Sequence, residues 1–343
     1  SAAVVALGLA FTAVACGGGG GSDKKGRGTT TTVSASAARA YPLTGLPLPD
    51  PAPPARPALV VKIDNAPKGR PQAGINQADI VFEEQVEGGI TRLASVFHST
   101  DAASVGPVRS ARSTDIAIIT PLRLPLFAYS GTNATFLKLV RAAPLVDVGH
   151  SAASPEYRRE RGRPAPYNLF TTTAGLWARV TKTQGEPLSP PPFFGYRAPG
   201  TRWSAEGARL TSGLHYEFRD IVKTIADFTW DADARGWRRV QNGTAHVDAG
   251  GTQIVPANVV VQFTRYRDTG ERDQSGTVVP EADLVGSGEA WVFSDGQLVK
   301  GGWSKASDEA VTSYSDSKGR PIALLPGSTW VVLLPPGQAS VLG

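Results

Sequence analysis

Cys16 is the one cysteine among 343 residues, so no internal disulfide can staple this chain. Whatever folds must be held by apolar burial and hydrogen bonds alone, and thiolate zinc sites are excluded with the disulfides. The thiol also sits badly for a core residue, although free cysteine is usually buried. It ends the apolar run Leu7-Gly8-Leu9-Ala10-Phe11-Thr12-Ala13-Val14-Ala15 and is followed by five glycines, Gly17 to Gly21. A short apolar stretch with small residues at positions 13 and 15 is the pattern of a signal-peptide cleavage site. We therefore expect residues 1–16 to be a signal peptide with a lipobox and Cys16 to be the lipidated residue. The run is too short to span a bilayer, which takes about 20 apolar residues. The longest later candidate, 116–129, is broken by Pro121, Arg123 and Pro125. The expected location is the outer face of a bacterial cytoplasmic membrane, held by two acyl chains.

Residues 17–57 carry Gly, Ser, Thr and Ala, then prolines at 42, 47, 49, 51, 53, 54 and 57. Such a segment buries little, and we expect a disordered tether that stiffens toward its end. The remainder is long enough for two domains. The first, 58–185, opens on Leu59-Val60-Val61-Lys62-Ile63, a buried-strand pattern, and mixes strand runs with helices expected from Ser113 to Ile119, over 136–140 and over 174–183. A Pro/Gly-rich linker, 186–207, follows, with Phe193, Phe194, Tyr196 and Trp203 suggesting that it packs on something. The second domain, 208–336, reads as short strands separated by turns, with Asp295-Gly296 the strongest hairpin signal. The expected class is α/β (α+β): a layered α/β N-terminal domain, then a β-rich C-terminal domain.

Three ordered stretches carry a family resemblance. They are Lys62-Ile63-Asp64-Asn65-Ala66-Pro67-Lys68-Gly69-Arg70-Pro71-Gln72, Val86-Glu87-Gly88-Gly89-Ile90-Thr91-Arg92 and Gly106-Pro107-Val108-Arg109-Ser110-Ala111-Arg112. With Gln241-Asn242-Gly243, Phe293-Ser294-Asp295-Gly296 and Gly327-Ser328-Thr329-Trp330, they resemble the YerB-like bacterial lipoproteins over residues 41–335. The resemblance implies a two-domain lipoprotein and brings no reaction or catalytic residue with it. This chain has Pro166-Tyr167-Asn168 where such proteins often have Pro-His-Asn.

The run 78–87, then Gly88-Gly89, then 90–97 predicts a hairpin with a two-residue loop, because a primed turn needs positive φ at its centre. That register pairs Glu87 with Ile90, Gln85 with Arg92 and Glu83 with Ala94. One face would then carry Glu83, Gln85, Glu87 and Arg92, and the other, with Phe82, Leu93 and Phe97, would be core. The polar face has two open readings: a solvated surface, or the floor of a cleft that Arg109 and Arg112 complete from a loop entering a helix. Backbone N–H groups at such a helix start favour anions, and guanidiniums bind oxyanions bidentately. The expected ligand-binding set is Asp64, Glu83, Gln85, Glu87, Arg92, Arg109 and Arg112, for an anionic or glycan envelope ligand.

The alternative is a wall-directed hydrolase or transferase using a carboxylate from Asp64, Glu83 or Glu87, in which no catalytic residue is assignable. Glu83 and Glu87 would lie roughly 13 Å apart on one strand face, wide for a catalytic pair. No two histidines have metal-ligand spacing, so no metal and no cofactor is expected. The net charge of +5 is modest for this length. The expected partners are the membrane through the anchor and an envelope polymer or envelope protein, and export argues against nucleic acid.

Overall fold

The computed structural model describes residues 40–180, 188–198, 200–273 and 275–343. The expected signal peptide, Cys16 and the tether up to residue 39 lie outside them. The fold is mixed α/β with few helices and a β-rich C-terminal part. Five N-terminal strands, β1 (Leu59–Asp64), β2 (Ile80–Gln85), β3 (Thr91–Phe97), β4 (Leu126–Ala128) and β5 (Val146–Asp147), form one half of an eleven-stranded sheet in the order β5-β4-β1-β3-β2. The C-terminal segment supplies the other half. Its strand Thr329–Leu334 lies parallel to β2, with Ile80 opposite Thr329 and Glu84 opposite Leu333, and Asn258–Phe263, Gly286–Ser294 and Gln297–Lys305 continue outward. The stretches on either side of the Pro/Gly-rich linker thus share one hydrogen-bonded sheet.

All six residues of β1, all six of β2 and all seven of β3 are buried. The near-continuous apolar run of β1 fits a strand covered on both faces. On one face, Leu59, Val61, Ile63, Val81 and Leu93 join Tyr216, Phe228, Trp237 and Trp330. These covering residues come largely from a second sheet of five strands, including Gly213–Arg219, Lys223–Asp231 and Gly236–Gln241. On the other face, Val60, Phe82, Ala94 and Val96 pack with Ile118, Ile119, Phe193, Phe194 and Trp203. The helix α1 (Thr114–Ile119) and the linker aromatics cover that side. The expectation of one core face and one polar face is therefore corrected. Neither face of the hairpin meets bulk solvent, because the sequence pattern does not reveal the second layer.

The hairpin register is also corrected. Glu84 faces Arg92, Gln85 faces Thr91 and Glu83 faces Leu93, a shift of one residue from the expected pairing. The loop has three residues, Glu87–Gly89, closed by the Val86 N–H donating to the Ile90 carbonyl. Gly88 and Gly89 both take positive φ, as expected, but as the end of a tight 3₁₀ turn. A Cβ on Gly89 would stand 2.1 Å from the Val222 carbonyl oxygen, so glycine is required there for space as well as for φ. A one-residue slip exchanges the two faces of a strand. It moves Arg92 away from Glu83 and Gln85 and onto the face of Lys62, Asp64 and Glu84.

Residues 40–57 are not free chain. Tyr41 to Gly45 make a hydrogen-bonded turn, Leu43 is fully buried, and the Trp177 indole N–H donates to the Pro57 carbonyl. Arg56 stacks on Trp177 at 3.6 Å from its centroid. This part of the expected tether is body, because Leu43 finds a slot beside the linker strand, where the Tyr196 hydroxyl donates to its carbonyl. Leu43→Ala is expected to cost about 2–5 kcal/mol, read from urea unfolding with unchanged m. A loss below 0.5 kcal/mol would show that the segment is dispensable.

Candidate functional site

The cluster at the loop end of β1 and β3 is assembled by strand register. Asp64 of β1 lies opposite Arg92 of β3. β4 pairs with β1 only as far as Val61, and the loop around Val108 takes its place beside Ile63. The Asp64 N–H donates to the Pro107 carbonyl and the Arg109 N–H to the Lys62 carbonyl, which sets Arg109 beside Asp64.

The Arg109 Nε stands 2.5 Å from Asp64 Oδ2, a charge contact rather than an aligned hydrogen bond. Asp64 Oδ1 accepts from the Ala66 N–H at 2.6 Å. Arg112 Nε donates to Glu87 Oε1 at 2.5 Å, and Arg92 Nη2 lies 3.8 Å from Glu87 Oε2 while its Nη1 donates to the Ser110 carbonyl at 2.9 Å. Three guanidiniums thus meet two carboxylates. Burial, with repulsion from Arg112 and Arg109, lowers Arg92 to about 10 against the pull of Glu87. Burial pushes Glu87 upward, but the Arg112 hydrogen bond and the charges of Arg112 and Arg92 hold it below the usual carboxylate range. Arg109 and Arg112 are the reachable members, with side chains 21 % and 12 % exposed. The Arg109 guanidinium also sits 5.6 Å from the centroid of Tyr167, the residue standing where the resemblance has histidine. A cation–π wall fills that place here.

Five of the seven expected residues, Asp64, Glu87, Arg92, Arg109 and Arg112, come together. Glu83 and Gln85 do not. Gln85 points to the opposite face, where its side-chain amide donates to Asp220 at 3.2 Å. Glu83 is fully buried and saturated: it accepts from Arg239, Tyr216 at 2.6 Å, Trp330 at 3.0 Å, Asn65 at 3.2 Å and Thr91 at 2.9 Å. The 13 Å pair of Glu83 and Glu87 is thus not a pair at all. The expected anion site at the helix start is corrected as well. α1 has six residues, Ser113 makes no capping hydrogen bond, and the Asp115 carboxylate occupies the Arg112 N–H at 2.7 Å.

The sequence reading missed Lys62, Glu84 and Asp115. Beneath the cluster, the Lys62 ammonium donates to both Glu84 and Asp115, and all three are fully buried. The signal was present in the alternation of Lys62 with Asp64, which places a lysine on the same strand face as a site carboxylate. Among the described residues, no group of three or more His, Cys, Asp or Glu side chains is placed to hold a metal ion.

Two family models match the chain, described as "Protein of unknown function (DUF3048)" N-terminal domain over residues 43–186 and its C-terminal domain over residues 216–331. The chain belongs to the DUF3048 family. It is 26% identical over 300 residues to "Putative lipoprotein YerB" of Bacillus subtilis (strain 168), covering 86% of each chain. The crystal structure of YerB from Bacillus subtilis superposes with a TM-score of 0.75 at 23% identity, over 89% of this chain and 99% of that one. This likeness shows a shared fold, and the YerB-like resemblance seen in the motifs is borne out.

Proposed function

We propose that this DUF3048 chain is an exported lipoprotein, anchored through Cys16 on the outer face of the membrane, that binds an anionic envelope polymer or partner through Arg92, Arg109 and Arg112. The convergence of three guanidiniums on two carboxylates, with Arg109 and Arg112 partly exposed, carries this reading. The similarity to a lipoprotein and the lipobox before Cys16 support the anchor.

The same geometry disfavours the hydrolase. Glu83 has no access and no lone pair to spare, and Asp64 and Glu87 are each held by an arginine. None is a free carboxyl at an open site, which general-acid cleavage needs.

Polyphosphate and polyglutamate serve as probes at two ionic strengths. Wild-type affinity for at least one should fall as salt rises, and Arg109→Ala combined with Arg112→Ala should weaken it about tenfold or more, equivalent to 1.4 kcal/mol. Equal affinities for wild type and the double variant would overturn the site. Turnover of cell-wall material that disappears in Glu87→Gln would overturn the non-enzymatic reading.

A further inference from the structure

A cavity lies beside the linker. Its volume is ≈ 370 Å³, within the range of small-molecule sites. Its lining includes Arg197, Arg202, Trp203, Asp316 and Arg320. Arg197 follows the linker strand Gly195–Tyr196, which runs parallel to Ala323–Leu324, and its own N–H donates to the Leu324 carbonyl. Both Arg197 and Trp203 are 8 % exposed, and the guanidinium lies 5.7 Å from the indole centroid.

The donors here are badly served. Arg197 Nε and Trp203 Nε1 are buried with no hydrogen-bond partner. The remaining contacts of Arg197 are long: 3.3 Å to the Thr201 carbonyl, 3.5 Å to Asp295 and 3.5 Å to the Ser294 hydroxyl. A guanidinium has five N–H donors, and contacts of this length are at the limit of hydrogen bonding. Burying a donor without an acceptor costs on the order of 1–3 kcal/mol.

The cavity's own carboxylate cannot supply the missing acceptor. Asp316 is taken up by the N–H groups of Glu206, Lys318 and Arg320 and by the Arg320 guanidinium, at 2.9–3.0 Å. Asp295 is shared between Arg197 and Arg235, at 3.5 Å from each. Exposed Arg202 and half-exposed Arg320 stand at the rim.

We infer that this cavity is an oxyanion-binding site for a carboxylate or phosphate group of a small ligand, with Arg197 and Trp203 in its wall and Arg202 at its rim. It is independent of the Arg92 cluster. Guanidinium and indole N–H groups can both donate to one oxyanion, and charge-assisted bonds of this kind are about twice as strong as neutral ones.

The test uses protein labelled with ¹⁵N at the indole nitrogens. The Trp203 signal is the one lost in Trp203→Phe. Inorganic phosphate and succinate are titrated separately at constant ionic strength, which separates the two sources of oxyanion. Saturable movement of the Trp203 signal with either anion, half-complete near or below about 1 mM, is the expected result. It should weaken at least tenfold in Arg197→Gln, and several-fold in Arg202→Ala, whose exposed side chain leaves the core untouched. Arg109→Ala with Arg112→Ala should leave it unchanged, which keeps this test distinct from that of the other site. A Trp203 signal that moves with neither anion, or moves equally in Arg197→Gln and wild type, would overturn the inference.

Discussion

Arg239→Ala is expected to be among the most damaging single substitutions in this protein, costing about 3–5 kcal/mol, the range for breaking one side of a buried ion pair. Arg239 and Glu83 are both fully buried, with Arg239 Nη2 at 2.9 Å from Glu83 Oε2 and 3.1 Å from Oε1. The guanidinium also lies 4.6 Å from the Trp330 ring centroid, and Nη1 donates to Gln241 Oε1 and His246 Nδ1, each at 2.5 Å. Since Nδ1 accepts, His246 Nε2 carries the proton and donates to Gln72 Oε1 at 2.8 Å. Burial and the Arg239 charge keep His246 neutral, well below the usual histidine range. Removing Arg239 leaves the Glu83 carboxylate in the core with neutral donors only, and deprives His246 and Gln241 of their partner.

The cost should appear as a lower urea midpoint with little change in m. The control is Arg239→Met combined with Glu83→Gln, which removes both charges and keeps much of the volume. It should recover at least about 1 kcal/mol relative to the sum of the single losses, within the usual range of coupling between contacting residues. Additive losses would show that the pair is not coupled and that Arg239 matters only for its bulk.

This network also shows where sequence reading stops. Glu83 was visible as a strand carboxylate, but its partners Tyr216, Arg239 and Trp330 are 133, 156 and 247 positions away. No local pattern announces them. Local rules succeeded where the loop is free to follow them. Asp295-Gly296 forms the expected two-residue turn, with φ of 53° and 71° and Ser294 paired to Gln297. The Gly88-Gly89 turn obeys the same φ requirement but is packed against Val222, whose N–H donates to the Gly88 carbonyl, and the tertiary contact accompanies a three-residue loop. That single residue is why Arg92 was expected opposite Gln85 and is found opposite Asp64 and Glu84. The arginines of the loop after β3 were legible because their loop lies next to β1 in space as well as carrying the family motif. The linker aromatics gave a correct hint of packing, with Phe193 against Phe82 at 5.7 Å.

Glu84→Gln is expected to change how stability varies with pH between about pH 6.5 and 8. The Lys62 ammonium sits between the Glu84 and Asp115 carboxylates, and all three side chains are 1 % exposed or less. One ammonium against two carboxylates leaves one surplus negative charge in the core, and Glu84 Oε2 has no hydrogen-bond partner. Burial pushes the Glu84 carboxyl up to about 7 from 4.5, with Lys62 pulling it down and Asp115 pushing it further up. A carboxyl whose folded value is raised binds its proton more tightly in the folded state. Its contribution to stability is fully present below about pH 4.5 and is lost as pH rises through about 7. Asp79, raised to about 6 chiefly by burial, acts in the same direction at lower pH. His98, lowered to about 4 by burial and the Arg56 charge, acts oppositely, as does His246, since both lose stability as pH falls below 6.5. Between pH 6.5 and 8 Glu84 loses about 0.8 kcal/mol of its contribution, while the unfolded-state His98 and His246, still half protonated at pH 6.5, return about 0.4 kcal/mol each, so wild type should be nearly flat there. Glutamine keeps the acceptor for Lys62 and removes the surplus charge, so the variant should gain about 0.8 kcal/mol over that window and be more stable than wild type at pH 8. Urea unfolding of both proteins at pH 6.5, 7.2 and 8 decides the matter: equal slopes would mean that Glu84 does not titrate there and that the triad holds its surplus charge by other means.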